Sequence, residues 1–226
     1  MSKTCEACVY RSFLFDDLSR EELGILSISR NEIAYKKGDI IFQEGDEVKN
    51  FIYLKEGLLK IYKTIDPRKE QIVGITKPKD FIGLLSAFSK TNHLYSISAL
   101  EDSEVCVIET DLVRKMAHKN GDFAITLLEK MSDINAQILS THLSINLKNL
   151  RGRTAYIILL FAKEIYKDIK FDLPVSRKEI GELIEMRTEN VIRILSELRN
   201  DGIIGIEGKR IEIKDLKRLE QIAEYG

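Results

Sequence analysis

Residues 176–213, "SRKEIGELIEMRTENVIRILSELRNDGIIGIEGKRIEI", leave this chain few ways to fold. Ser176 followed three residues on by Glu179 is a capping box, which opens a helix by satisfying its free N–H groups. After Ile184 only a few connecting residues precede a second helical pattern, which Thr188 is expected to cap. In that second helix Val191, Ile194, Leu195 and Leu198 repeat at the spacing of one buried face. Asp201-Gly202 ends it, and the two β-prone runs around Glu207-Gly208 read as a hairpin. Helix, tight turn, helix and hairpin together predict a winged helix-turn-helix.

The face opposite the apolar stripe begins with Arg187, Thr188, Glu189 and Asn190, then Ile192 and Arg193. In a helix-turn-helix the second helix enters the major groove with its N-terminal residues at the base edges. Arg offers a fork of donors to guanine O6 and N7, and Glu accepts from the cytosine amino group, each contact discriminating by roughly 1–3 kcal/mol. Glu189 and Arg193, four apart, share one face and are expected to read neighbouring bases while pairing with each other. Taken alone, that pair would be a surface ion pair worth under about 1 kcal/mol; the capped helix before it and the hairpin after it favour base reading. Ile192 suggests contact with a thymine methyl or no contact. Ser176, Arg177, Lys209 and Arg210 complete the candidate DNA-binding set, with solvated charge the alternative for the last two.

Elsewhere the pattern changes. Residues 1–30 are a charged lead-in with a capping box at Ser19 and Glu22. From about 33 to 109, short β-like runs such as "FIYLKEGLLKIYK" and "EVCVIE" alternate with turns at Gly38-Asp39, Gly45-Asp46, Glu56-Gly57 and Lys79-Asp80, which suggests a β-roll or sandwich. A helical pattern then runs from about 111 to 148. Within it Leu127, Met131, Ile134, Ile138, Thr141 and Ile145 make a heptad seam, read as a dimer helix with packing on its own domain as the alternative. The expected fold is α+β, with a sensor domain over 1–110, a dimerisation helix over 111–148 and the winged helix-turn-helix over 149–226.

Net charge does not advertise nucleic acid: residues 1–147 hold 19 Lys and Arg against 22 Asp and Glu, and residues 148–226 hold 16 against 14. Recognition would rest on local placement of charge. No apolar run is long enough for a membrane span, and "MSKTCEACVYRSF" lacks the apolar core of a signal peptide. The expectation is therefore a cytoplasmic protein whose three cysteines need not form disulfides.

Order and motifs together resemble the Crp/Fnr superfamily of bacterial transcription regulators, over about residues 5–222. "KKGDIIFQEGDEVKNFIYLKEGLLKIYK" resembles the family's cyclic-nucleotide-binding signature, with Gly38, Gly45, Asp46 and Gly57 at the turns; "DFIGLLSAF" is similar to its phosphate-binding cassette; "SRKEIGELIEMRTENVIRILSELRNDGII" resembles its helix-turn-helix. The resemblance implies a homodimer on a roughly palindromic operator in promoter DNA, with RNA polymerase as a further partner. Two departures matter. Cyclic-AMP-binding members carry Gly-Glu in the cassette and Arg-Ser about ten residues later, whereas Gly83 here is followed by Leu84 and Leu85, and "NHLYSIS" holds no Arg. Cyclic AMP is therefore not expected as effector, and a different ligand would meet Phe81, Gly83, Leu84, Leu85, Leu94 and Tyr95. Secondly, Cys5, Cys8 and Cys106 fall where the oxygen-sensing Fnr branch places ligands of an iron–sulfur cluster, but the third N-terminal cysteine is missing, with "SFLF" in its place. Asp16, Asp17 or a small molecule would have to supply the fourth ligand. A thiol switch, a zinc site or, for Cys106, plain core packing are the alternatives.

The chain thus reads as a dimeric, sequence-specific transcription regulator that does not use cyclic AMP. Within the same fold the alternative is an oxygen or redox sensor acting through Cys5, Cys8 and Cys106. From another class, the alternative is a ligand-binding dimer whose winged helix docks protein. No Gly-rich phosphate loop, Ser/His/Asp order or histidine pair at metal spacing points to an enzyme.

Overall fold

The computed structural model describes residues 4–6, 8, 10, 13–66, 69–88 and 92–226, with the side chains of Phe13, Leu85 and Ala87 outside the described set. The chain forms two compact units, one of residues 1–63 and 74–137, the other of 64–73 and 138–226.

The N-terminal half of the chain forms strands β1 (Asn31–Tyr35), β2 (Ile40–Phe42), β3 (Asn50–Glu56), β4 (Leu59–Asp66), β5 (Lys69–Thr76), β6 (Phe81–Ile82), β7 (Ser96–Ala99) and β8 (Ser103–Glu109), with residues 64–73 of β4 and β5 falling in the second unit. They form two four-stranded sheets, ordered β1-β8-β3-β6 and β2-β7-β4-β5. Side chains alternate along a strand, so β3 feeds two cores. Ile52 and Leu54 point between the sheets, onto Leu59, Ile82, Ile97 and Val105. Phe51 and Tyr53 point the other way, with Cys106 and Ile108. Helix α1 (Arg20–Ser29), helix α3 (Thr110–Lys119) and helix α4 (Gly121–Asn146) lend Leu23, Leu26, Val113, Met116, Phe123 and Leu127 to this second core; a four-residue helix, α2 (Leu84–Ala87), follows β6. Burial on both faces is why β3 reads as an unbroken apolar run. Gly57 turns β3 into β4 at φ +89°, and a Cβ there would lie 2.2 Å from Ser103 Oγ; only glycine fits.

The helical pattern expected over 111–148 is broken. Asn120 ends α3 and restarts the chain, its Oδ1 accepting the Phe123 N–H at 3.1 Å while its Nδ2 donates to the Asp17 carbonyl at 2.8 Å. Asn-Gly is a poor helix interior, and here it serves as a cap. Along the first half of the expected heptad seam, Leu127 is buried in the second core, and Met131 and Ile134, half-buried, pack against it. The amphipathic signal there records packing on the helix's own domain. Further along, Ile145 is buried, Thr141 half-buried and Ile138 just exposed, and the strongly exposed apolar residues of α4 are Ile125, Leu128, Leu139 and Leu143.

The second unit contains α5 (Leu150–Leu159), extended by a π-helical stretch over Leu160–Tyr166, then β9 (Lys170–Asp172), α6 (Arg177–Leu183), α7 (Thr188–Asn200), β10 (Ile204–Glu207), β11 (Arg210–Ile213) and α8 (Leu216–Tyr225). The hairpin β10–β11 has the expected register, Glu207 facing Arg210 across the turn. Two elements go beyond the sequence reading. Strand β9 adds a third strand beside β11, pairing Phe171 with Ile211. Helix α8, capped by Asp215, buries Leu219 and Ala223. Among the described residues no helix is long and apolar enough to cross a membrane.

Candidate nucleic-acid interface and sensor sites

The turn between α6 and α7 is set by a close backbone approach. The Met186 N–H donates to the Gly181 carbonyl at 2.8 Å, and a Cβ on Gly181 would fall 2.5 Å from the Met186 oxygen. Any larger residue in α6 would push the two helices apart. The expected capping box opens α6, with Ser176 Oγ accepting from Glu179 N–H and Glu179 from Ser176 N–H. For α7 the expectation shifts by one residue: Arg187 is the N-cap, without a side-chain capping bond, and Thr188 is the first helical residue. Val191, Ile194, Leu195 and Leu198 are buried as expected. Arg187, Glu189, Ile192 and Arg193 are exposed, while Thr188 and Asn190 are half-buried.

The expected Glu189–Arg193 pair is corrected. Arg193 instead donates to Glu197, one turn further on. Glu197 also lies 3.8 Å from Arg151 on α5, and Arg151 pairs with Asp201 at the end of α7. Glu197 thus lies between two guanidiniums, and it is this carboxylate, not Glu189, that Arg193 meets. Glu189 is left without an ion-pair partner among the described residues, at the helix N-terminus where the backbone dipole favours a carboxylate. Arg177 donates to the Gly208 carbonyl at 3.2 Å, tying the start of α6 to the hairpin turn. Lys209 and Arg210 stand exposed at that turn. Recognition-type donors, a free carboxylate and one apolar side chain therefore share one outward surface.

The residues expected around an effector differ in their surroundings. Phe81 is buried against Phe51, Tyr53 and Phe15, with ring centroids 4.9–5.7 Å apart. Leu84 is buried in the same core, Gly83 sits at φ +73° before α2, Tyr95 is half-buried, and Leu94 is exposed. The Leu85 side chain lies outside the described residues. Sequence reasoning missed a ring stack at this place: Phe42 and His93 lie 3.7 Å apart, nearly parallel. A His93 ring carbon would be 3.4 Å from a Cβ on Gly83. His93 Nδ1 is buried without a hydrogen-bond partner among the described residues, and burial lowers the pKa of the ring. No spacing rule links residues 42 and 93, so the stack had no signal in the sequence.

The three cysteines do converge. Cys5, Cys8 and Cys106 line one cavity of about 30 Å³ with Phe15, Leu26, Arg30, Tyr53 and Ile108. Arg30, which sequence reasoning did not single out, donates to Cys106 Sγ at 3.5 Å and pairs with Glu32. Lys55 bridges Glu32 and Glu104 beside it, at 3.1 and 2.5 Å. Burial pushes the Cys106 thiol up, against the pull of Arg30. Asp16 and Asp17 are exposed and not in the lining; Asp17 accepts from Thr126. The three thiols supply three of the four ligands that an iron–sulfur cluster takes, and neither Asp16 nor Asp17 lines the cavity as a fourth.

Comparison with known proteins agrees with this architecture. The cyclic nucleotide-binding domain family matches residues 32–120 and the Crp-like helix-turn-helix domain family matches residues 152–222. The fumarate and nitrate reduction regulatory protein of Escherichia coli K12 is 27% identical over 213 residues, covering 92% of this chain and 85% of that protein. The transcriptional activator protein FnrL of Cereibacter sphaeroides is 26% identical over 208 residues, covering 88% and 83%. FixK2 from Bradyrhizobium japonicum shares the fold with a TM-score of 0.78 at 24% identity, over 85% of this chain and 96% of that one. With a β-roll, a long helix and a winged helix-turn-helix in this order, the chain belongs to the Crp/Fnr superfamily of bacterial transcription regulators.

Proposed function

We propose that this regulator binds promoter DNA as a homodimer, reads a G·C pair in each half-site with Glu189 and Arg193, and takes a signal other than cyclic AMP. The observation that carries the DNA reading is the exposed face of α7, where a carboxylate and a guanidinium are held outward on a rigid helix. Arg187, Thr188, Asn190, Ser176, Arg177, Lys209 and Arg210 surround them as candidate phosphate contacts. For the dimer, exposed Leu128, Leu139 and Leu143 on α4 offer an apolar face that a second copy of the helix would cover. Against cyclic AMP stand Leu84 after Gly83, where the sugar needs a carboxylate, and the lack of an arginine in "NHLYSIS", where the phosphate needs one. RNA polymerase contact follows from the family and from nothing more specific.

Binding of the full chain to promoter duplexes tests this reading. Specific affinity should fall steeply with salt, in proportion to the phosphates contacted, and Leu139→Lys with Leu143→Lys should convert a dimer into a monomer by sedimentation. Retained affinity and base preference in Glu189→Ala and Arg193→Ala would show that other residues read the bases, and no salt-sensitive binding to any duplex would leave the winged helix as a protein-docking module.

A second reading is favoured by the cavity shared by Cys5, Cys8 and Cys106: redox sensing. Cys8, the most accessible of the three, would attack hydrogen peroxide, breaking its O–O bond and forming a sulfenic acid with loss of water. A second thiol would displace the hydroxyl as another water, so that one peroxide and two thiols give a disulfide and two waters. Cys106 lies in the core that holds Leu127 and Met131 of α4, which gives the change a route to the dimer helix. Mass spectrometry before and after peroxide should show loss of two hydrogen atoms per chain. About four iron and four sulfide per chain after anaerobic purification would overturn the thiol account in favour of a cluster.

A further inference from the structure

The last four carbonyls of a helix have no partner inside it and must be satisfied from elsewhere. In α6, only seven residues long, that end is also the start of the turn into α7. Two of its carbonyls are closed from within the turn: Ile180 accepts from the Ile184 N–H at 3.0 Å, and Gly181 from the Met186 N–H at 2.8 Å. The next is closed from far away. The Glu182 carbonyl accepts from Gln71 Nε2 on β5 at 2.8 Å, across 111 residues of chain. Beside it the Glu70 N–H donates to Glu182 Oε1 at 3.3 Å, and Lys178, one turn back on α6, lies 3.4 Å from the same oxygen. These contacts leave the Glu182 side chain only 8% exposed, and Ile72, next to Gln71, is fully buried. The outer ends of β4 and β5, residues 64–73, accordingly belong to the same compact unit as the winged helix.

We infer that Gln71 is a positioning residue for DNA reading: from outside the winged helix it closes the end of α6 and so fixes the turn that aims α7. This rests on the DNA reading above. Arg187, the N-cap of α7, follows that turn within a few residues, so slack at the end of α6 becomes slack in how the base-reading residues meet the groove. Arg153 holds the turn from its other side. Its Nη1 donates to the Ile184 carbonyl at 3.2 Å and its Nε to the Lys148 carbonyl, just past α4, at 2.9 Å. Strand β5 and helix α4 are both segments along which the chain passes from one unit to the other. The turn of the helix-turn-helix is therefore tied to each of them through one backbone carbonyl, Glu182 for β5 and Ile184 for the exit of α4.

The experiment compares the full chain with Gln71→Ala, Gln71→Lys and Lys69→Ala, and reads the ratio of affinity for an operator selected from a random duplex library to affinity for random duplex. Gln71→Ala should lower that ratio about three- to tenfold, the net worth of one hydrogen bond, while random-duplex affinity, which rests on phosphate contacts, stays at the parent value. Gln71→Lys keeps a donor on a long side chain and should recover most of the ratio. Lys69→Ala, at an exposed position two residues away, should leave it unchanged. Hydrogen exchange of the full chain reads the turn without DNA: the Ile184 and Met186 amides should exchange faster in Gln71→Ala, and those of β3 no faster. The inference is overturned if Gln71→Ala keeps the parent ratio or the parent exchange at the turn, if Gln71→Lys is no better than Gln71→Ala, or if Lys69→Ala loses as much, which would mean that β5 meets DNA directly. A parent chain whose own ratio is near one overturns the DNA reading itself and this inference with it.

Discussion

Two arginines in this chain show opposite treatments of the same charge. Arg30, beside Cys106, has a side chain only 3% exposed and is enclosed by Glu32, a thiol and apolar walls. Arg193, on α7, has a side chain 57% exposed and a single carboxylate partner of comparable freedom. A buried guanidinium must be matched on the spot, because taking a charge out of water costs several kcal/mol unless its partners replace the lost hydration. An exposed one costs almost nothing to display and stabilises almost nothing, which leaves its hydrogen-bonding capacity for another molecule. Position, more than residue type, separates a charge that tunes its own domain from one offered to a partner.

That contrast can be broken most forcefully at Arg30. Arg30→Ala removes the enclosed cation, its packing and its bond to Cys106 while Glu32 keeps Lys55, and should lower the unfolding free energy by about 1–3 kcal/mol in urea titrations, with DNA affinity of the surviving folded fraction unchanged. An equal or smaller effect than a surface substitution would mean the cation is not enclosed as described. Arg193→Ala should do the reverse: stability within about 0.5 kcal/mol of the parent, and a loss of roughly 1–3 kcal/mol in operator binding, confined to sequences carrying the G·C pair. Fluorescence anisotropy with matched and altered duplexes reads both.

His93 extends the comparison to a neutral group. Its ring is buried on Phe42 with Nδ1 unpartnered, and burial depresses its pKa. The folded state therefore prefers the uncharged ring. Its contribution to stability is complete above the unfolded value of about 6.5 and is lost as pH falls through the depressed folded value. In His93→Phe the fall in urea midpoint between pH 7.5 and 5 should be shallower than in the parent; an identical fall would show that the ring is hydrated. The smallest effect is expected at Arg151. Removing it should leave the fold intact and weaken operator binding by under about 0.5 kcal/mol, through the looser hold on Glu197 and hence Arg193.

Much of this was legible before any coordinates. The capping boxes at Ser19 and Ser176, the buried stripe of α7 and the Glu207-Gly208 hairpin are local features, and each appears as read. The α4 seam was legible as an amphipathic helix but not as to its partner: Leu127, Met131 and Ile134 turn to their own core, and periodicity is blind to which surface covers an apolar face. The Glu189–Arg193 pair failed for a similar reason, since its competitor Glu197 is held from a second helix by Arg151.

The sequence by itself determined what depends on neighbours within a few residues: caps, turns, helical and strand periods, and the order of a β-roll, long helix and winged helix-turn-helix. The tertiary structure alone decided what depends on residues far apart in the chain. It placed Arg30 among Cys5, Cys8 and Cys106, stacked Phe42 on His93, and added β9 to the wing. Those contacts are set by packing, in which a side chain's environment comes from strands and helices that no local spacing connects.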